Sequence, residues 1–188
     1  METVEDQNRD FIRDRESRPE PITGSPLINP HFSDDLIRLD KHFKVESVAG
    51  YQTIFIIAGE TIVAETLDRF ACGLLRDEID RRGAEHPFKR ALIVSAKTWR
   101  HSHWFTERCP AISVGSGAAN DVSQEWSEDA NAQGIQPYPL GKGTGLFVNR
   151  QPARVVLAGK HAEDSKNAVE TYISHPRGLT ELLASSWT

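Results

Sequence analysis

Ala111-Ile-Ser-Val-Gly-Ser-Gly-Ala-Ala-Asn-Asp121 is the stretch that decides the fold. A short apolar run ends in a Gly-Ser-Gly turn, and an Asn-Asp pair then opens a helix. That is the layout of a strand whose carboxyl end feeds a helix amino terminus. Bare N–H groups and the positive end of a helix dipole favour an anion there. The small residues let a ligand approach the backbone.

Other apolar runs repeat the pattern on both sides. Thr53-Ile-Phe-Ile-Ile-Ala58 is bounded by Gly50 and Gly59 and has no polar alternation, as in a strand buried on both faces. A long helix is expected from about Thr61 to Arg82, with Val63, Leu67, Phe70, Ala71, Leu74, Leu75 and Ile79 at spacings of three and four and Gly83 as its stop. Ala91–Ser95 is the second strand and Ala111–Val114 the third. A helix follows from Asn120 to about Ala130. Leu146–Val148 and Ala153–Ala158 flank Asn149-Arg-Gln-Pro152 and predict a hairpin. A helix over roughly Ala162 to Ile173 comes next, then a final turn with Leu179, Leu182, Leu183 and Trp187. Strands alternating with helices imply an α/β fold, with a mostly parallel Rossmann-like sheet and helices on both faces.

The first 30 residues read differently. They are highly charged, and Pro19, Pro21, Pro26 and Pro30 interrupt any regular element. An extended tail is expected here, flexible or docked on a neighbouring subunit. Residues 31–50 read as a short helix and linker, with Ser33 as N-cap, and 51–188 as the Rossmann-like domain.

Composition excludes several classes. The chain of 188 residues carries a net charge of −5, which gives no general electrostatic case for nucleic acid or an anionic membrane. No apolar run approaches the ~20 residues that cross a bilayer. The amino terminus lacks the pattern of a signal peptide. Two cysteines, Cys72 and Cys109, make neither a disulfide framework nor a zinc spacing. A cytoplasmic setting is expected, and no particular cofactor is indicated.

In open α/β sheets ligands bind beyond the carboxyl ends of the strands. Those ends supply Gly59, Glu60 and Thr61 after the first strand, and Lys97 and Thr98 after the second. The third supplies Gly115, Ser116, Gly117 and Asn120, and the late strand Lys160 and His161. The lysines suit charge neutralisation of a phosphate, with Arg100 and Arg154 as helpers. The turn is not a dinucleotide fingerprint, since position 120 is Asn where a third glycine is needed, and Asn120 serves equally as an N-cap. His101 and His103 have no third ligand at a readable spacing, so no metal site is expected. Cys109 reads as buried and inert. An enzyme would use Glu60 against a positive charge developing on a ribose and His161 to donate a proton.

The run Pro110–Asn120, with Ala158-Gly-Lys-His161 and a terminal helix, resembles a group of small bacterial Rossmann-like domains. Their third strand ends in a Gly-Gly-Pro-x-x-Asn-like turn; here Ser116 and Gly117 replace the Gly-Pro step. More distantly the chain is similar to nucleotide-sensing Rossmann-like domains of bacterial defence systems. The resemblance implies a sensor or binding module for a nucleotide or other phosphorylated ligand, as a homo-oligomer. Two alternatives stand beside it: a nucleotide hydrolase or glycosyl transferase on the same site, and a structural subunit assembling through its tail.

Overall fold

The computed structural model describes residues 52–61, 64, 68–84, 86, 88–101 and 107–187. The expected tail, the helix after Ser33, most of the front of the Thr61–Arg82 helix and His103 lie outside the described residues.

Three buried runs form the parallel heart of the sheet: β1 (Ile54–Ala58), β2 (Ala91–Ser95) and β3 (Ala111–Val114). Between them come α1 (Arg69–Arg82) and α2 (Ala96–His101), and after β3 comes α3 (Asp121–Ala132). A short β4 (Tyr138–Leu140) and a longer β5 (Gly143–Arg150) lead into β6 (Ala153–Ala158). Helices α4 (Ala162–Ser174) and α5 (Leu179–Ser186) complete the chain. The sheet order is β2-β1-β3-β6-β5-β4. The first four are parallel, and β5 and β4 are antiparallel additions. The expected α/β class and mostly parallel sheet are therefore correct.

Alternation along β1 separates two cores. Ile54, Ile56 and Ala58 pack with Ala71, Leu75 and Ile79 of α1 and with Val169, Tyr172 and Leu182 of α4 and α5. Phe55 and Ile57 face the other way, onto Trp99 of α2 and Val122 and Trp126 of α3. Every residue of β1 is buried, which is why its sequence shows no polar alternation. On the second face Arg154 lies beneath two indoles, 5.2 Å from the Trp99 ring and 5.6 Å from that of Trp126. Its guanidinium donates to the carbonyls of Cys109 and Ala153. Burial pulls this guanidinium down to about 10.

Arg154 is the second residue of β6 and lies opposite Ala111, at the amino edge of the parallel strands. It is a buried core residue, so the phosphate-helper role expected for it does not hold. Cys109 is buried as expected, and burial pushes its thiol up to about 12. Gly83 does end α1, although its φ of −97° is available to any residue. The reason is space: a Cβ there would stand 1.7 Å from the Lys89 carbonyl oxygen.

Candidate functional site

From β1 the chain passes to β2 on one side, and then crosses back to β3 on the other. The switch point is therefore the gap between the carboxyl ends of β1 and β3, where such folds take their ligands. Here the protein fills the gap itself. The Asn120 amide donates to the carbonyls of Ile57 and Val114, both at 2.9 Å, and so bridges the last turns of β1 and β3. Its Oδ1 accepts the backbone N–H of Val122 at 3.1 Å, which makes Asn120 the N-cap of α3 as well. Gly59 presses against the same turn: a Cβ there would lie 1.9 Å from the Ala119 oxygen.

The glycine turn is also committed internally. Gly115 has φ +106°, and a Cβ on it would meet Asp68 Oδ2 at 2.6 Å. Its N–H stays in the sheet, on the Leu157 carbonyl. The Ser116 carbonyl accepts from Ala119 and Asn120, each at 2.9 Å. Gly117 packs toward Gln124, whose Cβ would be 3.1 Å from a side chain at that position. Asp68 itself is buried with Oδ1 unpartnered, and burial raises its carboxyl above the usual range.

The open space lies one strand over, above β1 and β2. A cleft of about 360 Å³ is lined by Glu60, Thr61, Ala96, Lys97, Arg100, His101, Ala119 and Asp121. Local capping builds it. Ser95, the last residue of β2, accepts the backbone N–H of Thr98 at 3.1 Å and its hydroxyl meets that of Thr98 at the same distance. This starts α2 directly from the strand. Glu60 Oε1 then accepts the Lys97 N–H at 2.6 Å, tying the end of β1 to the head of α2. Lys97, Arg100 and His101 follow at i, i+3 and i+4 and share a face. Arg100 reaches Asp121 at 3.3 Å and Glu125 at 3.2 Å. The His101 Nδ1 donates to the Lys97 carbonyl at 2.8 Å, which leaves Nε2 without a proton in the neutral ring.

Glu60, Thr61 and Lys97 thus come together on the cleft, whereas Thr98 is not part of its lining and hydrogen-bonds with the capping Ser95. Lys160 and His161 are both exposed, after β6 and two strands from β1. His161 heads α4, its N–H on the Asp164 carboxylate at 3.2 Å. Neither residue lines the cleft. Asp121 and His101 were the less legible members. The signal for His101 is its spacing from Lys97 and Arg100, which means something only once α2 is seen, and Asp121 joins through its ion pair with Arg100.

Among the described residues no helix is long and apolar enough to cross a membrane. Comparisons with family models, with curated proteins and with solved structures find no match.

Proposed function

We propose that the chain is a binding module or sensor for a nucleotide or another small phosphorylated molecule, held over the carboxyl ends of β1 and β2. The observation that carries this reading is the convergence of Lys97 and Arg100 with Glu60, Thr61 and Asp121 on one cleft. A nucleotide needs both kinds of partner. Its phosphate is matched by the Lys97 ammonium, which has no ion-pair partner among the described residues. Arg100 is available as a second cation, because its surface ion pairs are worth little and are easily exchanged. The Thr61 hydroxyl accepts the Ala64 N–H at 3.1 Å and keeps its own proton to donate. Ribose hydroxyls are donors, and they suit the Glu60 oxygen that Lys97 leaves free and the exposed Asp121 carboxylate.

Binding is preferred to catalysis on the same geometry. The enzyme reading pairs Glu60 with His161, and β3 lies between the strands that carry them. Calorimetry of the purified chain with AMP, ADP and ATP, beside mass spectrometry of small molecules released from it, tests the reading. Saturable binding that Lys97→Glu weakens about tenfold or more is expected, since a charged hydrogen bond contributes roughly 1.5–3 kcal/mol. The same variant should keep its melting temperature, Lys97 being exposed. No released phosphorylated molecule and no binding by any of the three nucleotides would overturn the proposal. Base release or phosphate-ester cleavage that Glu60→Gln removes would install the hydrolase or transferase in its place.

A further inference from the structure

The larger hollow is at the opposite end of the sheet. It measures about 690 Å³, within the volume range of small-molecule sites. Helix α4 begins at the carboxyl edge, runs the depth of the sheet and delivers His175 to the amino edge. There the hollow opens between β4, β5 and α5, with no residue in common with the nucleotide cleft.

Its chemistry is divided. The half-buried rings of Tyr138 and Phe147 form an aromatic floor. Arg177 and Glu181 stand exposed on its rim, and neither has an ion-pair partner among the described residues, not even the other. The loop that presents Arg177 is braced: its backbone N–H donates to Nδ1 of His175 at 3.1 Å. One further group is unused. The Tyr138 hydroxyl is buried without a hydrogen-bond partner, and burial together with the Glu181 charge pushes it up to about 12, so it remains a protonated donor. That oxygen is packed against Gly145, so what Tyr138 offers the hollow is its ring.

We infer that this hollow is a second small-molecule site and that it takes an amino acid with an aromatic side chain. The ring stacks on Tyr138 and Phe147. The carboxylate meets the two-pronged guanidinium of Arg177. The ammonium meets Glu181. An aromatic acid without an amine leaves Glu181 unused, and an amino acid without a ring leaves the floor bare.

The test is a nitrogen–proton NMR titration of the full chain with L-phenylalanine, 3-phenylpropionate and L-alanine. L-Phenylalanine should give saturable shifts at the α4–α5 loop and β4. 3-Phenylpropionate should bind about tenfold more weakly, and L-alanine not at all. Arg177→Ala should weaken L-phenylalanine about tenfold. Glu181→Gln should bring it down to the affinity of 3-phenylpropionate and leave the latter unchanged. Both substitutions are at exposed positions, and the spectra themselves report whether the fold is kept. Absence of saturable shifts up to about 10 mM ligand would overturn the inference. So would binding indifferent to both substitutions, or shifts confined to the cleft at Glu60 and Lys97. AMP added to the same samples reports on the cleft separately, so either site can fail alone.

Discussion

Asn120 shows how a residue at a ligand-binding position can be consumed by the fold. Its one side chain satisfies two carbonyls and one N–H in a buried place. Asn120→Ala strips all three at once and leaves the carbonyls of Ile57 and Val114 without that donor. The expected cost is roughly 2–4 kcal/mol, taking about 1 kcal/mol per bond and adding the penalty of orphaned groups. Urea unfolding with an unchanged denaturant slope checks it. A loss below about 0.5 kcal/mol, the range of ordinary surface substitutions, would mean the bridge is not holding the switch point shut. From sequence, an Asn after a glycine turn reads alike as ligand contact and as N-cap. Only the position of β1 beside β3 decides between them, and that adjacency is a property of the sheet order, not of residues 115–121.

Helix α2 governs the cleft at the scale of elements. It is six residues long and buries only Ala96 and Trp99, so no apolar periodicity announces it. The longer elements were legible because burial wrote their pattern. β2 and β3 fall where the apolar runs do, and α4 follows its spaced apolar residues to within one residue at its end. β4 escaped notice for the same reason as α2: three residues, one of them Pro139, carry no alternation. The anion-site residues are legible as types in the sequence and their grouping is not, because nothing in the apolar pattern marks a helix over Ala96–His101. Ser95→Ala removes the hydroxyl that caps this helix and should cost about 1 kcal/mol. It should also weaken nucleotide binding, although Ser95 does not line the cleft, because Lys97, Arg100 and His101 ride on that helix. Faster amide exchange confined to residues 97–101 would accompany the loss. Unchanged exchange and unchanged affinity would show that α2 is held by Trp99 packing alone.

For the molecule as a whole, two carboxyls pull stability in opposite directions with pH. Glu78 accepts from Arg81 and Arg82, and these hydrogen bonds lower it from 4.5 to about 2. A lowered acid stabilises the fold above its unfolded value, and the gain is lost as pH falls through about 2. Arg82 also reaches the Ile173 carbonyl and the Thr180 hydroxyl, so the same pair clips α1 to α4 and α5. Asp68 is the reverse case. Burial raises it, so its penalty is absent below the ordinary value of 3.8 and grows as pH rises above it. Asp68→Asn should therefore raise the melting temperature at pH 8, by roughly 2–4 °C per kcal/mol recovered, with the difference shrinking toward pH 4. A variant that melts lower than the wild type at pH 8 would show that the ionised carboxylate has a stabilising partner.

The indole N–H of Trp187 donates to the Gln52 carbonyl at 2.7 Å, just before β1 begins. The chain is thus fastened across 135 positions, from its last described residue to the doorstep of its innermost strand. A ribosome makes these ends in the wrong order for that fastening. β1 leaves the exit tunnel first, yet its parallel neighbours and its lid of α4 and α5 are all still unwritten. This wholly buried segment must wait, unpaired, until β2 and β3 follow it out, and longer still for its cover of α4 and α5. A translation product stalled before those elements emerge would present Thr53-Ile-Phe-Ile-Ile-Ala58 naked to whatever else in the cell holds greasy strands.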